Sequence, residues 1–142
     1  MNLRTLAMML ALGVSAGAAP VPKELKRPDI ERFQGDWTCE NFDCGGRNNI
    51  GLRFAFKGDT TRIVRRGATD EDEIERFVLR PEKRPAEIDF LTPRVDNCSG
   101  IYKFVGDELH IAFYDAALRP TDFASAPDKY VLVLKRVPEG KK

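Results

Sequence analysis

The chain has 142 residues, with 23 Lys+Arg, 22 Asp+Glu, one His, a formal net charge of +1 and 42% hydrophobic side chains. That is enough for one domain and too little for a multidomain enzyme or a polytopic membrane protein. The near-balanced charge argues against nucleic acid as a partner.

Residues 1–4 are a short positive start around Arg4, residues 5–14 are almost wholly apolar, and residues 15–19 are all small. This is the order of a secretory signal. Ala16 and Ala18 stand at −3 and −1 for a cut after Ala18, which leaves 124 residues. Loss of Arg4 leaves 22 basic and 22 acidic side chains, so the mature chain is neutral. The apolar run is shorter than the ~20 residues of a spanning helix, so no membrane span is expected after cleavage. The expected address is secreted or periplasmic, an oxidising compartment for Cys39, Cys44 and Cys98.

Residues 19–32 read as a linker and a short helical turn, with Asp29 as the cap over 30–33. The period then becomes two. Trp37, Cys39 and Asn41 alternate with Thr38 and Glu40, and Leu52, Phe54 and Phe56 with Arg53 and Ala55. Strands follow at 60–66, 74–80, 86–91, 101–105, 109–114 and 128–136, separated by Gly, Pro and Asp turn signals. Gly106-Asp107 is a hairpin turn. The count is eight strands, with turn signals about every ten residues, as in an all-β sandwich or barrel. Eight antiparallel strands in sequence order can close into an up-and-down barrel, which removes exposed edges. The domain is expected over 33–136, with a tail at 137–142. Its inner face would carry Phe54, Phe56, Phe77, Phe90 and Phe113, with Tyr114 near the mouth.

The first strand opens with Phe33-Gln34-Gly35-Asp36-Trp37. Gly-x-Trp after a short helical turn resembles the lipocalin signature. Lipocalins pair that Trp with a basic residue at the end of the last strand, where this chain has Arg136. A guanidinium over the indole would close the barrel floor and contribute about 0.5–2 kcal/mol. Gly100-Ile101-Tyr102, Arg119-Pro120-Thr121-Asp122-Phe123 and Val131-Leu132-Val133-Leu134-Lys135-Arg136 extend the resemblance. Together they resemble the lipocalin-like domain family of secreted planctomycete proteins, over roughly 33–136. The resemblance implies a calycin-type β-barrel and brings no catalytic residues.

The cysteines are the first candidates for chemistry. The first and fifth loops of an up-and-down barrel lie at one end, which makes a Cys44–Cys98 disulfide the expected pairing. A Cys39–Cys44 bridge competes with it, and free thiols remain open. Cys39, on the Trp37 face, would be the buried third thiol. No metal site is expected, because Asp43, two Cys and a distant His110 lack ligand spacing. His110 is the only histidine and is expected to point outward, so no catalytic residue is assigned. Asp70-Glu71-Asp72-Glu73 lacks the spacing of a calcium loop. Arg62, Arg65 and Arg66 are expected across from Glu73 and Glu75 as solvated pairs. The 119–123 segment is expected as a structured crossing, with Arg119 reaching Asp122 and a possible second role as a lid.

The function expected is a monomeric, non-enzymatic, exported barrel without a cofactor. It would bind a small hydrophobic molecule or a cell-envelope protein. The lumen residues would be Phe54, Phe56, Phe77, Phe90, Phe113 and Tyr114. The alternative is a protein-interaction module or protease inhibitor acting through loops 43–49 and 115–127.

Overall fold

The computed structural model describes residues 27–44, 47–48, 51–65, 73–91, 98–114 and 118–140. One short helix, α1 (Asp29–Phe33), precedes the strands β1 (Gly35–Cys44), β2 (Arg47–Asn48) and β3 (Leu52–Lys57). Then come β4 (Thr60–Arg65), β5 (Glu73–Arg80), β6 (Ala86–Leu91), β7 (Cys98–Val105), β8 (Glu108–Tyr114) and β9 (Lys129–Arg136). From β3 to β9 each strand pairs antiparallel with the next, and β1 pairs with both β3 and β9. The result is a closed, eight-stranded, up-and-down barrel. The two-residue β2, which the sequence pattern does not announce, folds back on the end of β1.

The hairpin turns explain the tight connections. Lys57 pairs with Thr60 and Val105 with Glu108, leaving two-residue loops that begin at Gly58 and Gly106, each with φ 61°. That backbone region is open to glycine and strained for most other residues. Alternation along β3 buries Phe54 and Phe56 between exposed or half-buried neighbours. On β1 the alternation breaks. A register shift between Cys39 and Asn41 sets Asn41 opposite Val133, whereas Cys39 lies opposite Leu134. Asn41 therefore leaves the register of Trp37 and Cys39, contrary to the simple period-two reading; a bulge changes parity by one residue.

One end of the barrel is sealed by α1. Phe33 is 0% exposed and meets the rings of Phe56, Phe77, Tyr102 and Phe104 at centroid distances of 5.2, 5.8, 5.0 and 5.5 Å. Three of the four contacts are edge-on, the geometry aromatic quadrupoles favour. Trp37 Nε1 donates to the Phe33 carbonyl at 2.7 Å. The Arg136 guanidinium lies 4.3 Å from the Trp37 ring and donates to the carbonyls of Gln34 and Arg32. The Trp37 ring and the Arg136 guanidinium thus stack at this end of the barrel. Gln34 adds a latch, accepting from Gly58 N at 2.7 Å and donating to Gly58 O at 3.1 Å.

Asp29 is not the cap of this helix. Pro28 precedes the first turn without a side-chain cap. Asp29 instead accepts from Tyr102 Oη at 2.7 Å and lies 3.4 Å from Arg32.

The 118–128 segment is a strap on the outer wall. Ile101 and Ala112 pair with each other on the outward register, yet both are 0% exposed. Arg119 crosses this wall. Its guanidinium donates to the carbonyls of Gly100 and Ile88 and lies 2.6 Å from Asp89 and 3.6 Å from Glu87. Arg80 binds the same two carboxylates. Pro120 is buried, and Asp122 takes Lys129 at 2.5 Å and the Ala124 amide at 2.9 Å. Arg119 therefore reaches Asp89, not Asp122, and the segment lies along the wall instead of over the mouth.

Candidate ligand site in the barrel lumen

Five of the six aromatic residues expected to line the lumen fall into three groups, and Tyr114 stands apart. Phe56 and Phe77 belong to the sealed floor, in contact with Phe33. Phe54 and Phe90 are buried, with Phe54 stacked on Phe56 at 6.2 Å. Phe113 is half-buried, packs on the core, and meets Phe90 edge-on at 6.4 Å. Tyr114 is a correction. Phe113 pairs with Tyr130, so Tyr114 follows on the outer register with Lys129, whose Nζ is 6.0 Å from its ring. A single step along a strand changes face.

Several half-buried inward positions lie at the end remote from α1, while Leu79, Ala86 and Phe104 are half-buried near α1. Leu52, Ile63, Cys98 and Phe113 all pack on the core cluster without being fully covered. Tyr130 stacks on Phe113 with centroids 5.1 Å apart and rings 11° from parallel. The sequence reasoning missed Tyr130, Leu52 and Ile63 as lumen residues. For Tyr130 the signal was present in the alternation Tyr130, Leu132, Leu134. Apolar Val131 and Val133 on the other face hid it in a continuous run.

Two polar groups interrupt this lining. Glu75 sits on the inner register directly opposite Thr61, and Arg62 pairs with Ile74. In the register Arg62 stands opposite Ile74, between Glu73 and Glu75. Thr61 is 0% exposed, and its Oγ1 has no hydrogen-bond partner among the described residues. Burying a hydroxyl without a partner costs about 1–3 kcal/mol. Thr61→Val keeps the shape and removes that hydroxyl. It is expected to leave the urea midpoint unchanged or raise stability by about 1 kcal/mol; a clear loss would show that Oγ1 does find a partner.

Cys39 is buried in the core, and Cys98 Sγ lies 3.9 Å from the Tyr114 carbonyl. No disulfide joins these two among the described residues. The Cys44 side chain lies outside the described set, and with it the Cys44–Cys98 pairing. Residues 1–26, 66–72 and 115–117 lie outside it too. His110 occupies the outer face, paired with Lys103 and Val133, and its Nε2 is 2.9 Å from Glu108 Oε2.

Tyr102 is the one strongly perturbed group of the sealed end. Burial first, and then the hydrogen bond to Asp29, push its phenol far above the ordinary value. The folded state therefore favours the neutral phenol. This stabilisation is complete below the unfolded value of about 10 and is lost as pH rises beyond it. One tyrosine is expected to ionise only with unfolding in a 295 nm alkaline titration, and Tyr102→Phe should remove that phase. Full ionisation of all three tyrosines with the fold intact would contradict the assignment.

No protein-family model, curated protein or solved structure matches the chain.

Proposed function

We propose that the protein is an exported, non-enzymatic, lipocalin-like barrel that takes a small apolar ligand into the end of its lumen remote from α1. The observation that carries this reading is the half-buried Phe113–Tyr130 stack, with Leu52 and Ile63 on the same inner wall. Beneath it the floor is built of the Phe33, Phe56, Phe77, Tyr102 and Phe104 rings. An eight-stranded barrel has room for one small ligand when one end is left unfilled. The contact residues proposed are Leu52, Ile63, Phe90, Phe113 and Tyr130. Phe54 supports them from below, and Phe56 and Phe77 serve the floor. The apolar run after Arg4 and the small residues before Pro20 support export.

N-phenyl-1-naphthylamine is a neutral, apolar fluorophore suited to the test. Titration should give a saturable, one-to-one rise in its emission. Phe113→Glu should abolish that rise while the far-UV circular dichroism of the barrel persists. Failure of the parent protein to give saturable emission would refute the reading, as would equal binding by a folded Phe113→Glu variant.

A further inference from the structure

A concavity lies beside α1 at the sealed end of the barrel. It is an open groove of about 550 Å³ between α1, the 81–85 turn, β7 and the strap. Its walls include Tyr102, Phe104, Phe123 and Pro85, and three cations border it: Arg32, Arg84 and Lys103. A volume of this size is within the usual range for small-molecule sites, about 300–1,000 Å³.

The charges here do not cancel. Asp29 is the only acid in the lining, and it is already engaged by Tyr102 Oη at 2.7 Å and Arg32 at 3.4 Å. Arg84 donates through Nη1 to the Pro81 and Lys83 carbonyls at 2.8 and 2.7 Å, and no carboxylate meets it among the described residues. Those two bonds hold the guanidinium at the rim and leave its Nε and Nη2 donors for a ligand. Lys103 Nζ is set 4.4 Å from the Phe123 ring, also with no carboxylate partner among the described residues. Glu82, on the same turn, is close enough to raise the Tyr102 phenol but does not line the groove. Arg32 lies with its guanidinium carbon 3.6 Å from the Phe104 ring centroid, a flat cationic–aromatic surface.

We propose that this groove binds a small organic anion with a flat apolar body. The anionic group would meet Arg84 and Lys103, and the body would lie against Phe104, Phe123 and Pro85. Charge complementarity selects the anion, and the ring and proline walls select a planar body. The site is separate from the lumen and does not depend on the lumen's being a ligand site.

The probe is 2-naphthoate, compared with 2-naphthylmethanol and 2-naphthylmethylamine, in amide ¹H–¹⁵N titrations of the mature protein. Saturable shifts are expected at Ala86, Lys103, Phe104 and Phe123 with the carboxylate. The alcohol should bind at least about fivefold more weakly and the amine not measurably, because both lack the charge-assisted contacts. Arg84→Gln and Lys103→Gln should each weaken 2-naphthoate about three- to tenfold while leaving the spectrum of the free protein otherwise unchanged. Equal binding of all three probes would overturn the proposal, as would the absence of saturable shifts. Shifts confined to Leu52, Ile63 and Phe113 would overturn it in favour of the lumen alone.

Discussion

Phe33→Ala is expected to lower the unfolding free energy by about 3–5 kcal/mol, the cost of removing a large ring from a packed site. Phe33 is fully buried and touches four aromatic rings drawn from β3, β5 and β7. Those strands are far apart in sequence, so the ring acts as a keystone for the sealed end. Removing it leaves a cavity whose walls cannot all collapse, because Trp37 and Arg136 hold the neighbouring backbone carbonyls. Domains of this size have about 5–15 kcal/mol of stability in total, so the loss is a large share of it. Urea denaturation followed by circular dichroism reads it directly. Ile30→Ala, in the same helix but at a side chain 40% exposed, is the control and should change little. Similar midpoints for the two variants would show that α1 does not plug the barrel.

Arg119→Ala is expected to cost about 2–3 kcal/mol. Its guanidinium is shared among two carboxylates and two backbone carbonyls, with the Arg119 side chain 24% and the Asp89 side chain 15% exposed. Truncation strands the Gly100 and Ile88 carbonyls and removes one of two cations from the Glu87–Asp89 pair. The partial exposure keeps the cost below that of a fully buried pair. The strap should then loosen over Ile101 and Ala112. Amide exchange should quicken in 118–128 and leave β3 and β4 unaffected. Arg119→Lys retains the charge but not the fork of donors, so it should recover less than half of the loss. A midpoint within error of the parent would mean that the strap is held by Pro120 and the Asp122–Lys129 pair alone.

These two residues mark where the sequence was legible and where it was not. The barrel was readable because its signals are local. Leu52, Phe54 and Phe56 alternate, Gly58 and Gly106 mark two-residue turns, and Pro81 ends a strand. Trp37 and Arg136 were readable because each stands at a strand end with a recognisable neighbour. The role of Phe33 was not, since it depends on four rings brought together only by closure of the barrel. In the sequence Arg119 stands within reach of Asp122. The fold offered it two carboxylates and two carbonyls on β6 and β7 instead. Tyr114 adjoins Phe113 in the sequence, but adjacent strand residues face opposite ways. The β1 bulge left no local mark, and it alone moves Asn41 out of the Trp37 register.

The central claim is that a small apolar molecule occupies the lumen end bounded by Phe113 and Tyr130. Isotope-filtered NOE spectroscopy on labelled protein saturated with N-phenyl-1-naphthylamine addresses it most directly. Cross-peaks from the probe to the side chains of Leu52, Ile63, Phe113 and Tyr130 are predicted. Cross-peaks to Phe104 and Phe123 in the groove beside α1, with none to the lumen side chains, would contradict the account.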